Sequence, residues 1–84
     1  MTYEIRFTRQ AVKDLRKLTP ELQTKAKEIL RHKIADDPYS GKPLVGDLKG
    51  CYSVRLSYKD RIVYVIEKKQ LVVLVLRTRT HYGD

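Results

Sequence analysis

Three short runs of β-branched and aromatic residues occupy most of the second half of the chain, and they constrain its fold more than any other feature. The runs are CYSVRLS (51–57), RIVYVIE (61–67) and QLVVLVLRT (70–78), with short polar segments between them. Such runs are typical of β-strands, and breaks this short favour hairpins between antiparallel neighbours. The pattern therefore predicts a three-stranded antiparallel meander. Its last strand is apolar throughout Leu71–Leu76, which favours a place in the middle of the sheet.

The first half of the chain predicts a strand followed by two helices. Residues 3–7 alternate between apolar and polar side chains, which is the period of a half-buried strand. Thr8 can cap a first amphipathic helix, and Thr19-Pro20 is a start signal for a second one. Their apolar positions have helical spacing: Ala11, Val12, Leu15 and Leu18, then Leu22, Ala26, Ile29, Leu30 and Ile34. Asp36-Asp37-Pro38 should end the second helix, and residues 39–50 predict a loop with a short extended piece.

These elements predict an α+β fold in a single domain that covers residues 1–84. A chain of 84 residues fits one compact core, because two separate cores rarely form at this size. The helices should pack across one face of the sheet. The first strand should join the meander strands at an edge or at the centre, so that one sheet is formed.

The charge balance favours a polyanionic partner. The chain has 18 Lys and Arg against 10 Asp and Glu, a formal net charge of +8 at pH 7. Its longest apolar run has six residues, far fewer than the roughly 20 that a membrane-spanning helix needs. The start, MTYEIRFTRQ, does not have the pattern of a secretory signal, so we expect a cytoplasmic protein without a membrane association. Cys51 is the single cysteine, and neither a structural metal nor a cofactor is expected.

Four arginines belong to the predicted sheet: Arg55, Arg61, Arg77 and Arg79. The helix lysines differ from them, because they lie between apolar helix positions and fit a solvated helix face; they are Lys13, Lys17, Lys25, Lys27 and Lys33. A guanidinium group suits phosphate, since it stays charged and its planar donors engage two oxygens at once. For any single arginine, an ion pair with Asp47, Asp60, Glu67 or Asp84 explains the position equally well.

Alternation along the last strand predicts that Arg77, Arg79 and His81 project on one side. A histidine there can give or take a proton near neutral pH, as phosphodiester transfer requires. Tyr82 either stacks on a base or packs the tail. Tyr58 falls in a predicted turn where it could contact RNA, while Tyr52 and Tyr64 alternate with apolar neighbours and are expected in the core.

The element order and several motifs resemble the RelE/ParE superfamily of toxin–antitoxin ribonucleases over essentially the whole chain. The stretch Leu48–Leu56 fits L-x-G-x-[YW]-S-x-R-[IL], and Arg61–Tyr64 fits R-[IL]-V-Y. With the ending RTRTHY, these motifs look closest to the YoeB/RelE branch. The resemblance implies a metal-independent messenger-RNA interferase that enters the ribosomal A site, where the ribose 2′-hydroxyl attacks the adjacent phosphate.

The resemblance also implies roles for individual residues and a cognate antitoxin that holds the enzyme inactive. Arg61 matches the family's central arginine, and Arg55 matches a basic position on the preceding strand. Arg79, His81 and Tyr82 match the basic residue and the His-Tyr pair of the tail, with His81 as general acid or base. The expected catalytic residues are Arg61, Arg79, His81 and Tyr82, and the expected RNA-binding residues are Arg55, Arg77, Lys49 and Lys42.

One departure from the YoeB branch concerns Lys42, which stands where that branch carries a glutamate as the general base. Lys42 and Lys49 would then act electrostatically. Two alternatives remain at this point: a ParE-like inhibitor of DNA gyrase, and a nucleic-acid-binding module without enzymatic activity.

Overall fold

The structure, a computed structural model, describes residues 2–79 and contains two helices and a five-stranded mixed sheet. The strands are β1 (Glu4–Phe7), β2 (Lys42–Pro43), β3 (Cys51–Arg55), β4 (Arg61–Glu67) and β5 (Val72–Arg77). The helices are α1 (Arg9–Lys17) and α2 (Pro20–Ile29). The α+β fold class is confirmed, and β2 is the short extended piece expected in the 39–50 loop.

The strands have the order β1-β5-β4-β3-β2 in the sheet. Strands β3, β4 and β5 are antiparallel neighbours, as the meander prediction requires, and β1 joins parallel to β5 at an edge. The apolar strand β5 is therefore an interior strand, but β4 holds the centre. A one-residue irregularity interrupts the β4–β5 ladder, because Tyr64 pairs with Val75 whereas Val63 pairs with Arg77. A bulge of this kind bends the strand and redirects the side chains that follow it.

The predicted caps start both helices, but the second helix changes its geometry before its predicted end. The hydroxyls of Thr8 and Thr19 accept hydrogen bonds from the backbone N–H groups of Ala11 and Leu22. The α-helical part of α2 ends at Ile29, and Leu30–Ile34 continues as a π-helical turn. Widening the turn keeps Leu30 and Ile34 fully buried, which explains why the apolar stripe extends past the α-helix.

One buried cluster joins the helices to a single face of the sheet. It contains Ala11, Leu18, Ala26, Leu30 and Ile34 from the helical half, and Leu56, Ile62, Tyr64, Val73 and Val75 from the sheet half. Val63 is also buried but lies outside this cluster, because it alternates to the opposite face of β4. The expected packing of both helices on one face is therefore confirmed. Neither helix in residues 2–79 has the length and apolar composition needed to cross a membrane.

The β4–β5 connection differs from the prediction, which began the last strand at Gln70. Residues Lys68–Gln70 form a 3-10 turn, and β5 begins at Val72. Leu71 closes this turn in the left-handed region, with φ of 55°. A non-glycine residue adopts that conformation at a cost of about 1 kcal/mol, so the turn depends on the partly buried Leu71 side chain and the pairing of both strands.

Gly41 lies where the loop before β2 meets the core. The Tyr64 hydroxyl donates a 2.6 Å hydrogen bond to the Pro38 carbonyl, and a Cβ on Gly41 would collide with that hydroxyl. The same Cβ would lie 3.0 Å from the Ser53 carbonyl oxygen. The φ of −73° at Gly41 suits any residue, so the backbone conformation does not require glycine. The lack of space for a Cβ does. Burial raises the pKa of Tyr64 to about 12, so its hydroxyl remains a donor at physiological pH.

We expect Gly41→Ala to lower the free energy of unfolding by about 1–3 kcal/mol, because the added methyl group overpacks this contact. The loss should be smaller in a Tyr64→Phe background, where the colliding oxygen is gone. Urea unfolding of both single variants and the double variant measures the coupling. Additive losses would show that the hydroxyl is not the group that excludes a side chain at Gly41.

Candidate functional site

Two arginines face each other on the side of the sheet opposite the helices. Arg55 ends β3 and Arg61 begins β4, and their Cα atoms are direct cross-strand partners. Arg55 is exposed and Arg61 is partly buried. Like charges directly opposite in an antiparallel pair destabilise a sheet, and neither arginine has an ion pair within the described residues 2–79. A bound anion would relieve this repulsion.

Ser53 and Lys42 extend the same surface across β3 to β2. Arg61 Nη1 donates to the Ser53 hydroxyl at 3.5 Å, so Ser53 and Arg61 share a face. Lys42 is the Cα partner of Ser53 and is exposed, so its ammonium group belongs to this face as well. Neighbouring strands are about 4.8 Å apart, which places the Lys42, Arg55 and Arg61 backbones within roughly 10–12 Å of one another. We call these three residues the cationic sheet face.

The β3–β4 turn fixes where Arg61 begins its strand. The Asp60 carbonyl accepts hydrogen bonds from the backbone N–H groups of Leu56 and Ser57, at 2.9 and 3.1 Å. The Ser57 hydroxyl accepts from the Lys59 and Asp60 N–H groups and donates to Asp60 Oδ2 at 3.1 Å. This double closure holds a tight turn, and Tyr58 at its tip is 91% exposed.

Arg79 is drawn to this end of the sheet by Asp60. Its Nε lies 3.6 Å from Asp60 Oδ1, a buried oxygen that has no hydrogen bond within residues 2–79. Because Asp60 immediately precedes Arg61, the pair places the Arg79 guanidinium at the end of the sheet where β4 begins. An ion pair with Asp60 was one of the expected explanations for an arginine of the sheet, and Arg79 has it.

Arg77 has a different environment from Arg79, although simple alternation placed them together. Its Nε and Nη2 donate to the two carboxylate oxygens of Asp14 in α1, at 2.6 and 3.3 Å. The Asp14 side chain is only 5% exposed, so this is a mostly buried ion pair. Val73 and Val75, four and two residues before Arg77, also pack on the helix side, so counting by two along β5 agrees with the contact between Arg77 and α1. The main visible contribution of Arg77 is to attach α1 to the sheet.

Several neighbouring bonds reinforce the same attachment. The Thr78 hydroxyl donates to the Ala11 carbonyl at 2.8 Å, and the Thr78 N–H donates to Asp14 Oδ2 at 3.4 Å. The Thr8 hydroxyl donates to the Leu76 carbonyl at 2.9 Å. Burial would raise the pKa of Asp14, but hydrogen bonds from Arg77 and Gln10 and the charge of Arg77 lower it below its usual value of 3.8.

Three of the expected site residues lie apart from this group or outside the described chain. Lys49 is exposed and precedes Cys51, which lies at the opposite end of β3 from Arg55, about 13 Å away along the strand. His81 and Tyr82 lie outside residues 2–79. Their predicted roles therefore remain predictions from the sequence.

The structure adds two acidic residues that sequence reasoning did not assign. Asp14 was missed, although an acid among the apolar positions Ala11, Leu15 and Leu18 of an amphipathic helix is a signal for a buried partner. Asp60 was named only as an ion-pair partner, and its turn was not foreseen. Within the described part of the chain, no group of three or more His, Cys, Asp or Glu side chains could hold a metal ion.

Comparison with known proteins gives consistent matches over nearly the full length. A family model described as "ParE toxin of type II toxin-antitoxin system, parDE" matches residues 5–83. Toxin RelG of Mycobacterium tuberculosis is 35% identical over 85 residues, covering 100% of this chain and 95% of the relative. A putative RelE-like toxin protein of Escherichia coli is 29% identical over 77 residues, covering 90% of this chain and 80% of the relative.

Solved structures agree with the fold. The toxin–antitoxin complex RelBE2 of Mycobacterium tuberculosis matches with a TM-score of 0.87 and 33% identity, covering 100% of this chain and 95% of that one. The YoeB/ParE toxin of Agrobacterium tumefaciens has a TM-score of 0.83 at 23% identity, covering 94% and 99% of the two chains, which shows a shared fold.

The fold and these matches define a toxin of the RelE/ParE superfamily, and the resemblance seen in the sequence is confirmed. Within that superfamily the chain belongs to the ParE toxin family of type II toxin–antitoxin systems.

We expect Asp14→Asn to lower the free energy of unfolding at pH 7 by about 2–3 kcal/mol, because it removes the buried negative charge that faces the Arg77 guanidinium. The pKa of Asp14 is lower in the folded chain, so its stabilisation is complete above the ordinary value of 3.8 and disappears as the pH falls through the folded value. Urea unfolding between neutral and acidic pH should therefore give a flatter pH profile for the variant. Asp36→Asn, at an exposed position, serves as the control and should keep the original profile.

Proposed function

We propose that this toxin is a ribosome-dependent endoribonuclease that cleaves messenger RNA. The observation that carries the proposal is the cationic sheet face, where Arg55 and Arg61 oppose each other without an ion pair in the described residues. Such an arrangement is unfavourable in the free protein and favourable around a phosphate. The net charge of +8 and the 35% identity to Toxin RelG of Mycobacterium tuberculosis support the same interpretation.

In the proposed reaction, the ribose 2′-oxygen attacks the adjacent phosphorus and the bond to the 5′-oxygen of the next nucleotide breaks. A 2′,3′-cyclic phosphate and a 5′-hydroxyl are the products. Arg61, partly buried and held at the start of β4, stabilises the negative charge that grows on the phosphoryl oxygens. Arg55 and Lys42 bind the neighbouring backbone, and Arg79 adds a further cation at the same end of the sheet.

Proton transfer is assigned to the tail. We propose that His81 protonates the leaving 5′-oxygen or accepts the 2′-hydroxyl proton, and that Tyr82 orients the substrate. Lys42 replaces the glutamate of the YoeB branch, so a carboxylate base is absent at that position. Its place on the cationic sheet face supports an electrostatic role instead. Lys49 and the exposed Tyr58 ring extend the surface that the RNA strand would contact.

A cognate antitoxin is the proposed regulator. A solved relative at 33% identity is a toxin–antitoxin complex, and so is the intact RelBE complex of Escherichia coli at 25% identity. An antitoxin bound to this chain would cover cationic surface and hold the toxin inactive in the cytoplasm, where its ribosomal target lies.

Inhibition of DNA gyrase is the second candidate, because the matching family model is described as a ParE toxin. A supercoiling assay with purified gyrase separates the two activities. Inhibition of supercoiling without any cleavage of message would favour this candidate over the ribonuclease.

We expect Arg61→Ala to reduce message cleavage on translating ribosomes by about a hundredfold or more, since it removes a donor to the transition-state charge. Adding His81→Gln to Arg61→Ala should abolish most of the cleavage that the single variant retains. Arg61→Lys should keep more cleavage activity than Arg61→Ala but less than the unchanged toxin, because an ammonium group lacks the planar pair of donors. Primer extension on a defined message with purified ribosomes measures the cut. Lys68→Ala, at an exposed turn position, is the control of equal charge change. Unimpaired cleavage by an Arg61→Ala/His81→Gln double variant would refute the assignment.

A further inference from the structure

Helix α1 carries a second, separate row of cations. Arg9, Lys13, Arg16 and Lys17 are all exposed. Successive residues of an α-helix advance by about 100°, so these four side chains fall within an arc of roughly 100° on one side of α1. We call them the α1 cation stripe. Within residues 2–79 none of the four has an ion pair.

The packing of α1 fixes the direction of this stripe. Ala11 and Asp14, on the opposite side of the helix, are buried against the sheet, together with Leu18, which follows the helix. Asp14 is the only acid in α1, and its carboxylate is bound to Arg77, so it lies away from the stripe. The helices pack on one face of the sheet and Arg55 and Arg61 project from the other. The stripe is therefore a surface distinct from the cationic sheet face.

The stripe is unfavourable for the isolated helix. Arg9 and Lys13, Lys13 and Arg16, and Lys13 and Lys17 are like-charged neighbours at i+3 or i+4 spacing. Arg9 also lies in the first turn, where the helix dipole is positive and where α1 has no acidic residue. Lys13 takes part in all three repulsive pairs. Binding of a polyanion would offset this repulsion.

The composition of the exposed side of α1 decides between classes of polyanion. Membrane-surface helices need an apolar face free to enter the lipid, but the apolar face of α1 is buried in the core. Protein interfaces are depleted in Lys and are anchored by aromatic, apolar or Arg side chains that become buried. The exposed positions of α1 are Arg9, Gln10, Lys13, Arg16 and Lys17, with no aromatic or apolar side chain to form the centre of such an interface. A phosphate backbone needs cations alone.

We propose that the α1 cation stripe binds the phosphate backbone of structured RNA, on the opposite side of the sheet from the cleaved strand. The distance along the helix from Arg9 to Arg16 is about 10 Å, at 1.5 Å per residue, enough to face several phosphates of a duplex. The identification of this RNA as ribosomal RNA rests on the proposed function, because a ribosome-dependent toxin would meet structured RNA on the ribosome. The toxin would then be held between structured RNA at α1 and the message at the sheet.

The test compares two triple variants that lose the same charge. Arg9→Gln/Lys13→Gln/Arg16→Gln removes the centre of the stripe, and Lys25→Gln/Lys68→Gln/Lys69→Gln removes three exposed cations elsewhere. Binding is measured to a short RNA duplex and to ribosomes whose message carries a 2′-deoxy nucleotide at the cut site, as a function of salt. The stripe variant should bind both about tenfold more weakly near 0.1 M salt, and its log–log salt slope should be less steep by about 2.

Lys13→Gln alone separates binding from folding. It should raise the thermal midpoint by about 2–4 °C, because all three repulsive pairs disappear, while it weakens binding to the duplex. If the stripe is only a solvated helix face, Lys13→Gln should leave binding to the duplex unchanged, and the proposal is then wrong. Equal losses in the two triple variants would show a general charge effect and overturn the proposal, as would stripe-dependent binding to anionic vesicles or polyglutamate instead of RNA.

The two proposals fail separately. Stripe-dependent binding of the duplex by a toxin that never cuts message would remove the ribonuclease proposal and keep this one. Normal cleavage of message, together with RNA binding that does not change in the stripe variant, would remove the proposal for the α1 cation stripe and keep the ribonuclease proposal.

Discussion

The buried carboxylate of Asp14 connects the two halves of this chain. It accepts hydrogen bonds from the Arg77 guanidinium and the Thr78 backbone, while the Thr78 hydroxyl bonds to Ala11. These contacts join α1 to the end of β5 across more than sixty residues of sequence. They hold Thr78 against α1 and so set the position from which Arg79 reaches Asp60.

The sheet separates two chemical environments. One face packs under both helices with apolar side chains, and the other presents Lys42, Arg55 and Arg61. Period-two alternation makes this separation automatic for β3 and β4. The arginines can therefore remain exposed and charged without disturbing the core. The cost of placing them opposite each other is a local repulsion that an anionic ligand would convert into affinity.

Much of the fold could be predicted because local patterns and global packing agree. Thr8 and Thr19 cap their helices as expected, and the three meander strands form in the expected order. The differences arise where packing overrides local preference. Leu30–Ile34 widens into a π-helical turn to stay buried, and Leu71 adopts a left-handed conformation to close a turn. The site was predicted residue by residue, but only the structure shows that Arg55 and Arg61 are direct partners, whereas Arg77 binds Asp14.

The sequence by itself determined the element types, the cationic character of the chain and its superfamily, because periodicity, charge and motifs are local properties of the sequence. The tertiary structure decided strand order, cross-strand register and the choice of ion-pair partners. Those depend on contacts between residues far apart in the chain, and a single irregularity in the β4–β5 ladder shifts the pairing register beyond it. Hence alternation could name the arginines of the sheet, but only the assembled sheet could divide them between the cationic sheet face and the ion pair with the buried Asp14.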